Sequence, residues 1–162
     1  MKLHLGCWHR YIPDFIHIDL CDMDHIDFKT SIDNLNMIED ESVSLIYASH
    51  CFQYFSPNDA PRVLKEWNRV LKKGGMLRIS VPDLEKLFKV YVRTKDIKTI
   101  FGPIFGHMRI KSNLKSTSED SILLYHQAIY DIKSMTELLI KTNYKDVCRY
   151  NWRDTIHKNY DD

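Results

Sequence analysis

The run over residues 62–84, RVLKEWNRVLKKGGMLRISVPDL, constrains the fold more than any other part of this 162-residue chain. Val63, Leu64, Trp67, Val70 and Leu71 recur at spacings of three and four, which lays one apolar stripe along a helix. Ser56-Pro57 supplies a start signal, a capping oxygen followed by a proline for the first turn. Gly74-Gly75 supplies the stop, because glycine takes the left-handed conformation at little steric cost. Residues 76–81 then read as a short apolar strand, and Pro82-Asp83 opens a second helical pattern over 84–92 with Asp83 as its cap. Helix, glycine turn, buried strand and helix in succession is how an α/β sheet is wound.

The rest of the chain extends that pattern. Residues 2–5 and 15–19 read as the first two strands, joined by a loop containing Pro13 that leaves room only for a turn or a short helical piece. Residues 26–28 predict a short third strand, and 42–49 a fourth, where Val43, Leu45 and Ile46 indicate burial on both faces. Residues 95–121 are the least regular stretch, with Gly102-Pro103, Gly106 and a polar run over 111–120. A loop of that length is expected to act as a lid over the active face, with poor order around 112–120. Asp131 or Ser134 caps a final helix, where Ser134-Met135-Thr136-Glu137 matches a capping box. A sixth strand is expected near 147–150.

Size and composition point to one domain over 1–162. A 44% hydrophobic and 28% charged chain is an ordinary globular one, and a net charge of +1 argues against a nucleic-acid footprint. No apolar run approaches a membrane span, and the N-terminus lacks the apolar core of a signal peptide, so a cytoplasmic location is expected. The four cysteines show no CxxC pairing, and no two of the eight histidines lie three or four apart. Free thiols and no bound metal are expected.

The 62–84 block resembles the class I S-adenosylmethionine-dependent methyltransferases, in which a helix ending in "L(K/R)PGG" feeds the fifth strand; Lys73 stands where the proline is usual. The resemblance covers nearly the whole chain. It extends to a branch of small bacterial methyltransferase-like proteins with the segments "LHLGCG", "FIHIDL" and "SVDLIYASHxLEHF". The matching residues are Leu3-His4-Leu5-Gly6-Cys7-Trp8, Phe15-Ile16-His17-Ile18-Asp19-Leu20, and Ser42-Val43-Ser44-Leu45-Ile46-Tyr47-Ala48-Ser49-His50-Cys51-Phe52-Gln53-Tyr54-Phe55. The resemblance implies a doubly wound, mostly parallel Rossmann-like sheet, S-adenosyl-L-methionine as cofactor and methyl transfer to a small-molecule acceptor. The cofactor-binding set it implies is Gly6, Cys7, Trp8, Asp19, Leu20, Ile32, Asp33, Ser49 and His50, at the carboxyl ends of the strands where open α/β sheets bind ligands. Gly6 would admit the methionine portion, and Asp19 would accept both ribose hydroxyls. His50 is the first choice for a base or substrate orienter, and His126 for a substrate-side catalytic role.

Several residues depart from that pattern. Trp8 replaces a glycine, which brings a Cβ penalty of about 1–2 kcal/mol if φ is positive there. Either the site survives in altered form or the indole fills it. Ser31 stands where an aspartate often holds the adenine amino group; Asp33 is a substitute or a loop cap. Ser44 replaces an aspartate, and Gln53-Tyr54 replaces Glu-His. The rival reading is therefore a catalytically degenerate member of the fold serving as a partner or regulatory subunit, with Trp8 packed into the pocket. A nucleotide-binding oxidoreductase or a sugar-modifying enzyme remains a third class. The spacing of Tyr91 and Lys95 matches the YxxxK pair of short-chain dehydrogenases but reads as an i,i+4 surface pair, because the first loop lacks their glycine-rich pattern. The similar proteins continue past Asp161-Asp162 with a further strand. The expectation is a natural truncation or a sheet edge completed by another chain, which makes a homodimer possible.

Overall fold

The computed structural model describes residues 1–106, 108–111 and 121–160. Strands β1 (Lys2–Leu5), β2 (Ile16–Asp19), β3 (Phe28–Lys29), β4 (Val43–Ser49) and β5 (Leu71–Ser80) form one sheet in the order β3-β2-β1-β4-β5. Every neighbouring pair is parallel. The chain steps outward from β1 to β2 and β3, then returns to the other side of β1 for β4. That reversal makes the carboxyl ends of β1 and β4 the topological switch point, the place where such sheets accept ligands. The fold is the Rossmann-like α/β class that the sequence pattern predicts.

Alternate residues of each strand face opposite layers. Leu3, Leu5, Ile18, Ile46 and Ala48 join the main core with Val63, Leu64 and Trp67 of α1 (Ala60–Val70) and Met135 and Leu139 of α4 (Ile132–Lys141). Trp67 is fully buried, and its indole N–H donates to the Ile32 carbonyl at 2.7 Å, so the large ring leaves no orphan donor. Leu45 and Tyr47 face the other way and pack with Ile12 and Phe15. His4 lies among them, 5.2 Å from the Tyr47 ring and 5.4 Å from the His17 ring between centroids. The β1–β2 connection thus does the packing of the helix it is too short to contain, helped by His157, whose ring lies 4.0 Å from Tyr47.

Several boundaries differ from those expected. Helix α1 begins at Ala60, with Pro61 in its first turn; the Ser56 hydroxyl holds the preceding turn by bonding the Asp59 carboxylate at 2.5 Å. The helix ends at Val70, before the glycines, because Leu71 is already extended and pairs with Val43. Leu45 pairs next with Met76, so residues 72–75 bulge out of the ladder, and Gly74 has φ +75° there. A Cβ on Gly75 would lie 2.8 Å from the Lys72 carbonyl oxygen. The glycine pair therefore serves a bulge within β5 and does not stop the helix. The third strand is Phe28–Lys29, two residues beyond the expected start.

Helix α2 (Leu84–Thr94) is capped as expected, with the Asp83 carboxylate accepting from the Glu85 and Lys86 amides. Residues 95–121 are more regular than their composition suggests. They hold α3 (Lys98–Phe105), which contains Pro103, and β6 (Met108–Lys111), which pairs antiparallel with β7 (Ser121–Leu124). The expectation for 112–120 lies outside the described residues. The capping box of α4 uses Asp131 as the cap and Ser134 as its reciprocal partner, one turn earlier than the Ser134/Glu137 reading. Residues 147–150 form no strand; Val147 packs instead against the main core. Among the described residues no helix is long and apolar enough to cross a membrane.

Candidate functional site

The carboxyl ends of β1, β2 and β4 gather most of the residues singled out from the sequence. Gly6 follows β1 with φ +64°, and its amide donates to the Ile18 carbonyl at 2.9 Å. A Cβ there would fall 2.4 Å from Cys51 Cβ and 3.7 Å from Ile32 Cδ1. The Cys51 thiol in turn donates to the Leu5 carbonyl at 3.4 Å. Gly6 thus allows the turn after β4 to close onto the end of β1, with Ile32 beside it.

Trp8 has φ +45°, the left-handed conformation that the replaced glycine would take. Its side chain is 45% exposed and stands edge-on to His9, so it does not fill the interior. The Trp8 amide donates to Asp19 Oδ2 at 2.8 Å, and the Cys21 amide donates to Asp19 Oδ1 at 2.8 Å. The carboxylate at the end of β2 therefore clamps the loops after both strands, and the Cys21 thiol bonds it as well. Cys7, Cys21 and Cys51 surround this carboxylate. Burial first, and the Asp19 charge second, push their thiols up, Cys21 to about 12, so they are protonated and unreactive at neutral pH.

Leu20, half-buried, follows Asp19. Ser49 ends β4, and His50 comes next, exposed, with φ +54° and its amide donating to the Ser80 carbonyl at 2.9 Å. Asp33 is engaged elsewhere. Arg62 donates to its Oδ2 at 2.6 Å, and the Ser31 hydroxyl bonds its other oxygen. Burial would raise this carboxyl, but Ser31 and Arg62 together hold it below the usual carboxylate range. Asp33 and Ser31 line a charged cavity of about 780 Å³ against α1, and Gly6, Asp19 and His50 take no part in its wall. Glu66 and Arg69 on that wall bond the Leu35 amide and the Leu35 and Ile38 carbonyls, which makes the cavity a by-product of stapling α1 to the 31–40 loop.

His126 lies across from the end of β4. Its Nε2 is 3.3 Å from Gln53 Nε2, its Nδ1 is 3.0 Å from the Pro103 carbonyl oxygen, and its ring meets that of Tyr54 edge-on at 4.8 Å. Gln53, 1% exposed, also donates to the His50 carbonyl at 2.9 Å. Two residues at the centre of this arrangement, Cys51 and Gln53, are absent from the set expected from sequence. The glycine after β1 signals that something approaches its backbone, but nothing in the sequence says that Cys51 does.

The "Methyltransferase domain" family matches residues 14–79. No curated protein matches the sequence. Among solved structures, a SAM-dependent methyltransferase from Methanosarcina mazei aligns over 87% of this chain and 77% of its own, with a TM-score of 0.55 and 17% identity. One from Archaeoglobus fulgidus aligns over 90% of this chain, with a TM-score of 0.53 and 14% identity, and this chain spans 61% of its length. At those identities the likeness is one of fold, and it agrees with the strand order and with the matched segment. The fold is that of S-adenosylmethionine-dependent methyltransferases, and residues 14–79 are similar to a methyltransferase domain.

Proposed function

We propose that this protein binds S-adenosyl-L-methionine at the carboxyl ends of β1, β2 and β4 and transfers its methyl group to a small-molecule acceptor. The observation that carries this reading is at Trp8, where the backbone keeps a glycine-like φ of +45° while the ring turns outward. Glycine's loss at that position has not closed the loop. Asp19 supports the same reading, since two backbone amides hold its carboxylate at the end of β2, where a carboxylate can still accept from ribose hydroxyls. In this reading the backbone of Gly6, Cys7 and Trp8 follows the methionine end, and Leu20 and Ile32 supply apolar surface for the adenine. Asp33, paired with Arg62, contributes an edge and not a free acceptor.

When bound, the cofactor would supply a methyl on a sulfonium whose thioether is a good leaving group, so the protein's task is alignment and proton removal. Ser49 and His50 flank the acceptor side at the end of β4. The exposed His50 imidazole takes the proton that an oxygen or nitrogen acceptor sheds as its new bond to carbon forms. The degenerate reading requires Trp8 inside the pocket, and its exposed ring speaks against that.

Calorimetric titration with S-adenosylmethionine and S-adenosylhomocysteine tests the proposal. The wild type is expected to bind in the micromolar range, and Asp19→Asn to lose about tenfold or more in affinity while keeping a native circular dichroism spectrum. No heat and no rise in melting temperature at millimolar ligand would sink it.

A further inference from the structure

We infer that Gln53 is a positioning residue of this site: its side-chain amide sets the tautomer of His126, holds the backbone of His50, and fastens the end of α3 to the end of β4. What is being positioned rests on the methyl-transfer reading; the arrangement itself stands on hydrogen-bond directions.

Gln53 lies in the single 3-10 turn that follows β4. Its Nε2 is 2.9 Å from the His50 carbonyl oxygen and 3.3 Å from His126 Nε2. An amide nitrogen only donates, so one proton goes to the carbonyl and the other to the imidazole, which must present a lone pair at Nε2. The ring proton then sits on Nδ1, 3.0 Å from the Pro103 carbonyl oxygen, which only accepts. Turning the amide over would set two oxygens against each other at His50. Exchanging the ring tautomer would set two N–H groups against each other at Gln53 and two lone pairs at Pro103. One pattern satisfies all three contacts.

The backbone reinforces it. The Gln53 carbonyl accepts from the Gln127 and Ala128 amides at 2.8 and 3.2 Å, and the His126 amide donates to the Phe105 carbonyl at 2.8 Å. The ring has no slack on its remaining side, since a Cβ on Gly106 would fall 2.2 Å from His126 Nε2. Both ring nitrogens of His126 are thus consumed by protein atoms. His126 forms part of the wall of the site and has no ring nitrogen left for an acceptor.

Side-chain nitrogen-15 spectra test the assignment, with the His126 signals identified by their loss in His126→Asn. At about pH 8 the wild-type ring is expected to carry its proton on Nδ1 with a bare Nε2. In Gln53→Glu a carboxylate replaces the amide donor, and the ring is expected to carry protons on both nitrogens at neutral pH. In Gly106→Ala the crowded ring is expected to leave Gln53 and show the Nε2–H form. A wild-type proton on Nε2, or a Gln53→Glu ring unchanged from wild type, overturns the assignment. The first measurement needs only the wild type, so a variant that fails to fold leaves the question decidable. Titrating the same sample with S-adenosylhomocysteine separates the two proposals: absence of heat removes the enzymatic reading, and the tautomer still decides the role of Gln53.

Discussion

Two non-glycine residues at the candidate site, Trp8 and His50, hold left-handed backbone with φ of +45° and +54°. Each such residue costs about 1–2 kcal/mol and persists only where its surroundings over-determine it. Trp8 is held by Asp19 through its amide, and His50 by Ser80 through its amide and by Gln53 through its carbonyl. Relieving the strain at Trp8 is expected to help, because the exposed ring buries little. Trp8→Gly should raise stability by about 0.5–1 kcal/mol in urea denaturation, after the entropy that glycine adds to the unfolded chain. A loss of stability would show that the indole packs more than its exposure implies. The opposite holds at Gly6, where a Cβ would fall 2.4 Å from Cys51 Cβ on a backbone with φ +64°. Gly6→Ala should cost about 2–4 kcal/mol, the sum of overpacking and a left-handed penalty. Cys51→Ala should rescue it only in part, because it removes the sulfur at 2.9 Å but keeps the Cβ at 2.4 Å.

At the scale of elements, α1 carries the core and α4 depends on its cap. Trp67 is fully buried and ties α1 to the Ile32 carbonyl, the residue that also lines the space beside Gly6. Trp67→Ala should cost about 3–5 kcal/mol by chemical denaturation, with a cavity under the sheet and an orphaned carbonyl adding to lost burial. Asp131 accepts from the Ser134 amide at 2.7 Å, while the Asp131 amide donates to the Ser134 hydroxyl at 3.0 Å. Asp131→Ala should cost about 1 kcal/mol and lower the melting temperature without changing the fold.

At the scale of the whole molecule, the two faces of the sheet differ in chemistry. One is an aliphatic and aromatic core under α1 and α4; the other holds His4, His17 and His157 among Tyr47, Phe15 and Ile12. Burial pulls the His4 imidazole down to about 3, with His17, His157, Arg10 and His25 adding charge repulsion. Burial also lowers His17, partly offset by Asp27. A histidine with a depressed folded value is neutral in the native state but binds a proton once unfolded. Its contribution is therefore complete above the ordinary histidine range near 6.5 and is lost as pH falls from there toward 3. Stability should drop by a few kcal/mol on acidification through that window, and His4→Phe should flatten the drop, as urea melts near neutral pH and at about pH 4.5 would show. An equal decline in the variant would assign the acid sensitivity to other groups.

Local pattern in the sequence was enough for α1 and α2 and for the strand ends where Gly6, Asp19 and His50 sit, while the parallel order of the sheet came with the family resemblance. Hydrophobic spacing and single capping residues such as Asp83 act over a few neighbours, so they can be read without the fold. Boundaries escaped wherever a distant partner set them. Val43 drew Leu71 into β5 and moved the glycine pair from a helix stop to a bulge. The antiparallel pairing of β6 with β7 gave order to a stretch whose glycines and proline suggested a loop. The same distinction runs through the site. The family resemblance named Trp8 as the residue in question, but that its ring turns outward while its amide donates to a carboxylate on the next strand was visible only in the folded chain. Asp33 went to Arg62 because α1 packs beside the loop after β3, and Gln53 reached both His50 and His126 because a segment more than seventy positions away folds against β4. Propensity and periodicity are properties of a short stretch of chain; which polar atom satisfies which, across such separations, exists only once the tertiary structure has brought them together.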